Sequence, residues 1–184
     1  MFIPGLLFSN YIADHSLEAS TITTQPQTTE VVTVEKPVID KGKGKDHEAF
    51  LYAIGFKESR NDYTCVNTLG YLGRYQFVPK TLRGLGYDVP DSVFLSNPKL
   101  QDQAMVSLLK DNKRMLRKYI QKYEGQIIKG ITVTESGILA AAHLGGHRSI
   151  KKFLKTNGTN DRHDSYGTHI SDYLQKFSGY KINV

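Results

Sequence analysis

Residues 97–123 read NPKLQDQAMVSLLKDNKRMLRKYIQKY, the longest periodic stretch of the chain. Met105, Leu108, Leu109, Leu116, Ile120 and Tyr123 recur at three- and four-residue steps and make one apolar face, as an amphipathic helix requires. Lys110, Arg114, Lys118 and Lys122 recur every four residues on another face. Asn97 suits an N-cap, and Pro98 suits a first helical position whose N–H would be unpaired anyway. A long helix therefore sets the fold class.

Shorter helices are expected on both sides of it. Asp46 can cap a helix running through Ala49, Phe50, Leu51, Ile54 and Glu58, which Asn61-Asp62-Tyr63 then breaks. Pro79 opens a short helix through Leu82 and Leu85, stopped by Gly86. Thr134 caps a helix over Ile138–Leu144 that Gly145-Gly146 ends; Ser149–Leu154 follows as another, and a last one spans about residues 168–177. Strand signals are weak. The Gly-punctuated run Thr68-Leu69-Gly70-Tyr71-Leu72-Gly73-Arg74-Tyr75-Gln76-Phe77 reads as a short hairpin or a tight loop. The expectation is a mainly α domain over residues 46–184.

Residues 1–45 have another texture. They are Thr-rich from Ser20 to Thr29 and close on Lys41-Gly42-Lys43-Gly44-Lys45, which has no apolar face and reads as a flexible tether. Val31–Val34 permits a short strand, though a polar linker is the preferred reading. Met1–Ala13 is apolar, but it lacks a basic start and is interrupted by Pro4 and Gly5. It reads as the remnant of an export segment or as a sticky tail.

Composition narrows the classes. No apolar run approaches the roughly 20 residues needed to cross a bilayer, so no transmembrane segment is expected. The lone cysteine, Cys65, leaves no internal disulfide, Cys-based zinc site or Cys-held iron–sulfur cluster. The net charge of +6 divides into −1 over residues 1–45 and +7 over residues 46–184, which suggests a polyanionic partner for the domain.

Glu58 is the most informative side chain. It falls four residues after Ile54 and seven after Leu51, on the stripe that should face the core. Partial burial favours the neutral form of a carboxyl, and a general acid must carry a proton near neutral pH. The plainer alternative is a Glu that ends the stripe and points into solvent beside Arg60.

Three segments in order carry a resemblance: Glu58-Ser59 closing a helix, Gly73-Arg74-Tyr75-Gln76, and Ala142-His143-Leu144-Gly145-Gly146. Together they resemble the soluble lytic transglycosylase family within the goose-type lysozyme-like fold, over about residues 46–155. The resemblance implies a lysozyme-like domain behind a flexible N-terminal extension. It implies cleavage of the β-1,4 bond between N-acetylmuramic acid and N-acetylglucosamine in peptidoglycan, outside the cytoplasm, with no cofactor or metal. It makes Glu58 the acid that protonates the glycosidic oxygen and Gln76 a group lining the sugar cleft. Tyr75 stands where the family has Met, and its ring is placed to stack on a sugar. His143 stands for the family's Tyr near the acid, and Leu144 for its Asn. His143 is either an active-site group or a structural one, and Ser59 either orients the Glu58 carboxyl or merely ends the helix.

Hydrolysing glycosidases generally need a second carboxylate. Asp62 reads better as a turn former, and Glu135 as an acid favoured at a helix start. A single acid fits the transglycosylase route, in which the sugar's own 6-hydroxyl closes onto C1. The rivals are a hydrolytic, phage-type lysozyme and a non-catalytic peptidoglycan-binding or virion module. A nucleic-acid-binding domain is a further rival, but no DNA- or RNA-reading motif accompanies the charge, so no nucleic acid is expected. Cys65 reads as a small hydrophobe. His143 and His147 have zinc-like spacing, but Gly145-Gly146 separates them; His163, Asp164 and His169 read as coincidence. The Lys110–Lys122 stripe reads as a solvated face, a wall-polymer site or, third, a nucleic-acid site.

Overall fold

The computed structural model describes residues 44–184, which are mainly helical. The Val31–Val34 strand, the apolar start and the tether up to residue 43 lie outside the described residues. Lys45, the tether's last residue, is tied to the C-terminal segment, its carbonyl accepting from the Lys181 N–H at 2.6 Å and its ammonium donating to the Ser178 carbonyl at 2.7 Å.

Helix α1 spans His47–Ser59, and Asp46 caps it by accepting from the Ala49 N–H at 2.8 Å. Its stripe is buried at Phe50, Leu51 and Ile54, as the spacing predicts. Arg60 and Asn61 turn the chain out of the helix with φ of 62° and 63°. Helix α2, Pro79–Gly84, follows the Gly-rich run, which is a tight loop pinned by single bridges of Leu72 to Val66 and Phe77. Helix α3, Asp91–Leu95, has no counterpart in the sequence reading, because five residues are too few to show a helical period.

Helix α4, Pro98–Tyr123, matches the expected long helix, with Asn97 accepting from the Leu100 N–H at 3.0 Å. Met105, Leu109, Leu116 and Ile120 are buried, and the four-residue basic stripe is exposed. A small hairpin then pairs β1, Ile127–Ile128, antiparallel with β2, Ile131–Thr132. Its turn residues Lys129 and Gly130 both have positive φ, the pattern of a two-residue hairpin turn. Two-residue strands are too short to register as an alternating pattern, which is why none was expected.

Helix α5, Glu135–Lys155, is capped by Thr134 and bent at Gly146, whose φ of 75° and ψ of 160° are not helical. The two helices expected there are its two halves. The first half, from Ser136 to Ala142, is buried throughout and forms the centre of the fold. It packs on α4 and on α6, Ile170–Lys176. Gly137 allows the close approach of α6, since a Cβ there would lie 2.7 Å from the Leu174 carbonyl. Phe177 and Tyr180 pack on Phe50 of α1, so the C-terminal segment joins α1 to this core. Among the described residues no helix is long and apolar enough to cross a membrane.

Candidate active site

A cavity of about 500 Å³ opens where the end of α1, the first half of α5 and α6 converge. Glu58, Gln76, His143 and Tyr173 line it, with residues 65–71 on one wall and residues 164–168 on another. Glu58 reaches it because it closes the apolar stripe at the last turn of α1, where burial gives way to the cavity. Its side chain is 17% exposed.

Two groups face the carboxyl. The Tyr173 hydroxyl donates a hydrogen bond to Glu58 Oε1. Burial pushes the Tyr173 phenol well above its ordinary range, and the Glu58 charge and hydrogen bond add to this. Tyr173 therefore remains a proton donor to the carboxyl across the working pH range. His143 Nε2 lies 4.0 Å from the same oxygen, too far for a hydrogen bond, and its side chain is 7% exposed. His143 Nδ1 is buried without a partner among the described residues.

Gln76 has a φ of 52° and is largely buried. Its Nε2 donates one N–H to the Gly73 carbonyl at 2.9 Å, which leaves the second N–H and Oε1 to meet a ligand in the cavity. The turn that presents it is anchored from behind. The buried Gln101 side chain accepts from the Arg74 N–H at 2.9 Å and donates to the Tyr63 and Phe94 carbonyls. Arg74 itself bonds Asn61, the Tyr63 hydroxyl and Asp102.

Two expected site residues are placed elsewhere. Tyr75 is fully buried, with its hydroxyl donating to Asp102 at 2.8 Å and Arg74 over its ring. Its faces are occupied by protein, so it cannot stack on a sugar. Ser59 does not orient Glu58: its hydroxyl donates to the Arg74 carbonyl at 2.8 Å and accepts from the Asp62 N–H at 3.0 Å, tying the helix end to the Gln76 turn.

Neither of the second carboxylates considered from sequence lines the cavity. Asp62 accepts from the Thr64 N–H and hydroxyl, as a turn former does, and Glu135 pairs with Lys113 at 2.8 Å. The other carboxylate lining it is Asp164. Its Oδ1 accepts from the Tyr166 and Thr168 N–H groups and shapes the loop. That loop touches the opposite wall, where the Tyr166 and Thr68 hydroxyls lie 3.2 Å apart. Tyr173 and Asp164 were not singled out as active-site groups from sequence. Tyr173 reads as one more apolar position of a short helix, and it meets Glu58 across 115 residues of chain.

His143 and His147 are separated by the Gly146 bend. The His163 and His169 rings approach to 5.5 Å, and no group of three metal-ligating side chains occurs among the described residues. Compared with family models, with curated proteins and with solved structures, the chain matches none.

Proposed function

We propose that this chain is a peptidoglycan-cleaving enzyme of the lytic transglycosylase type, acting outside the cytoplasm on a lysozyme-like scaffold. The observation that carries the reading is Glu58: a largely buried carboxyl facing a cavity of sugar size, held by a neutral phenol and faced by an imidazole. The order of the three motifs along the chain supports the same family.

In this mechanism the Glu58 proton goes to the glycosidic oxygen as the bond from C1 of N-acetylmuramic acid breaks. The 6-hydroxyl of that sugar then bonds to C1 and returns its proton to the Glu58 carboxylate. Water is not consumed, and the product ends in a 1,6-anhydro ring. The Tyr173 hydroxyl stabilises the carboxylate between the two transfers, and the His143 ring faces it. Gln76 offers an amide atom to the sugar.

A hydrolytic lysozyme is the second reading, and Asp164 is the observation that favours it. A second carboxylate lining the cavity can serve as base for an attacking water. Digestion of purified peptidoglycan separates the two. The account expects fragments lighter by one water than hydrolytic ones. Hydrated ends would assign the hydrolase, and no fragments from the folded full chain would leave a binding module.

A further inference from the structure

A second face of the domain lies away from the Glu58 cavity, on α4 and the second half of α5. From Lys110 to Lys122, α4 carries six Lys or Arg against one acid, Asp111; from His147 to Lys155, α5 carries four and no acid. The fold sets these runs side by side. Lys151 and Lys155 place their Nζ atoms 5.5 and 5.7 Å from the Tyr119 ring centre, and Lys122 lies 5.1 Å from that of Tyr123. The two rings are nearly parallel, with centres 6.2 Å apart.

The imidazole of His147 reports the same convergence. It is held below its ordinary range by burial first, then by the charges of Lys151 and Arg148, with Asp111 opposing. Lys113 pairs with Glu135 and Arg114 with Asp111. Among the described residues, no carboxylate pairs with Lys118, Lys122, Arg148, Lys151 or Lys155. Like charges held together without counter-charges repel one another, and an anionic ligand relieves that cost.

We infer that this face anchors the enzyme to the carboxylates of peptidoglycan stem peptides, separately from the cavity that holds Glu58. The inference rests on the proposed function for its choice of polymer. Lysine dominates the face, and an ammonium is a point charge without the planar fork that grips one anion in one pose. That suits a dispersed array of carboxylates. Base stacking needs open aromatic faces, but ammonium groups stand over both Tyr119 and Tyr123, which disfavours single-stranded nucleic acid. Met115 is the one large apolar side chain exposed on α4, too little to enter a lipid surface. Continuity points the same way. His143 in the first half of α5 lines the cavity, and the basic run begins just past Gly146 on the same helix.

The test uses the full chain carrying Glu58→Gln, mixed with purified sacculi at stepped salt concentrations and then sedimented. Binding should weaken as salt rises, and the added pair Lys151→Glu and Lys155→Glu should weaken it at least about tenfold. Amidating the sacculus carboxyls should do the same, and Lys151→Gln with Lys155→Gln should fall between. With Glu58 intact, the charge-reversed chain should cleave short soluble glycan fragments at the normal rate but intact sacculi more slowly. Undiminished binding by the charge-reversed chain, or on amidated sacculi, would overturn the inference. So would tighter binding to duplex DNA or to anionic phospholipid vesicles at equal salt. Failure of the unaltered chain to release any fragment would count against the proposed activity, whereas the sedimentation result judges the anchoring face alone.

Discussion

Replacing Gly73 by Ala tests how the Gln76 turn is held. Gly73 has a φ of 67°, where an L side chain costs about 1–2 kcal/mol. A Cβ there would overlap Gln101 Oε1 and lie 2.6 Å from Gln101 Cδ, so the buried amide has to move. Moving it releases the Arg74 N–H and the Phe94 carbonyl, each worth about 1 kcal/mol net and more if left unpaired. The expected loss is about 3–5 kcal/mol. With a urea slope of about 2 kcal/mol/M, the unfolding midpoint falls by about 2 M. Gly84→Ala is the control, since nothing lies within 4 Å of its Cβ position and its backbone is helical. It should be neutral or stabilising by up to about 1 kcal/mol. On a Gln101→Ala background the overlap is gone, so Gly73→Ala should cost only its backbone share. A loss below about 1 kcal/mol in the unaltered background would refute the argument, as would an equal loss in both backgrounds.

Tyr173→Phe removes the hydroxyl on Glu58 while keeping the ring in the core. It should lower kcat about 10- to 100-fold with little change in KM, as expected for a hydrogen bond to a charged group; an unchanged kcat on soluble glycan fragments would count against it. Asp161 carries a pH dependence. Burial alone would favour its neutral form, but Lys129 at 2.9 Å and the Ser171 hydroxyl and N–H hold it below the ordinary value of 3.8. A folded value below the unfolded one contributes stability that is complete above about pH 4 to 5 and fades as the pH falls through the folded value. Asp161→Asn should therefore cost about 1 kcal/mol at pH 7 and progressively less as the pH falls below about 4, read from thermal unfolding across that range.

Local signals accounted for the helices that carry the site. Asp46, Asn97 and Thr134 each cap the helix their side-chain chemistry predicts, and the apolar steps of α4 match its buried face. Glu58 was legible for the same reason: its place on a stripe is a property of one helix. What was not legible depends on distant partners. The motif order assigns Tyr75 to the sugar, and only Asp102, on α4, shows where its hydroxyl goes. The side chain that donates to Glu58 lies on α6, and no periodicity within α6 distinguishes Tyr173 from its core neighbours. Short elements escaped too, since α3 holds five residues and each strand two, too few for a period to repeat itself.

The central claim rests on one proton at Glu58. Glu58→Gln keeps the side chain's size and retains an oxygen to accept from Tyr173, so the folded site should persist without an acid in it. Purified peptidoglycan treated with the unaltered chain should release muropeptides with 1,6-anhydro ends, identified by mass, and the variant should release none. Release at the unaltered rate by Glu58→Gln would contradict the account.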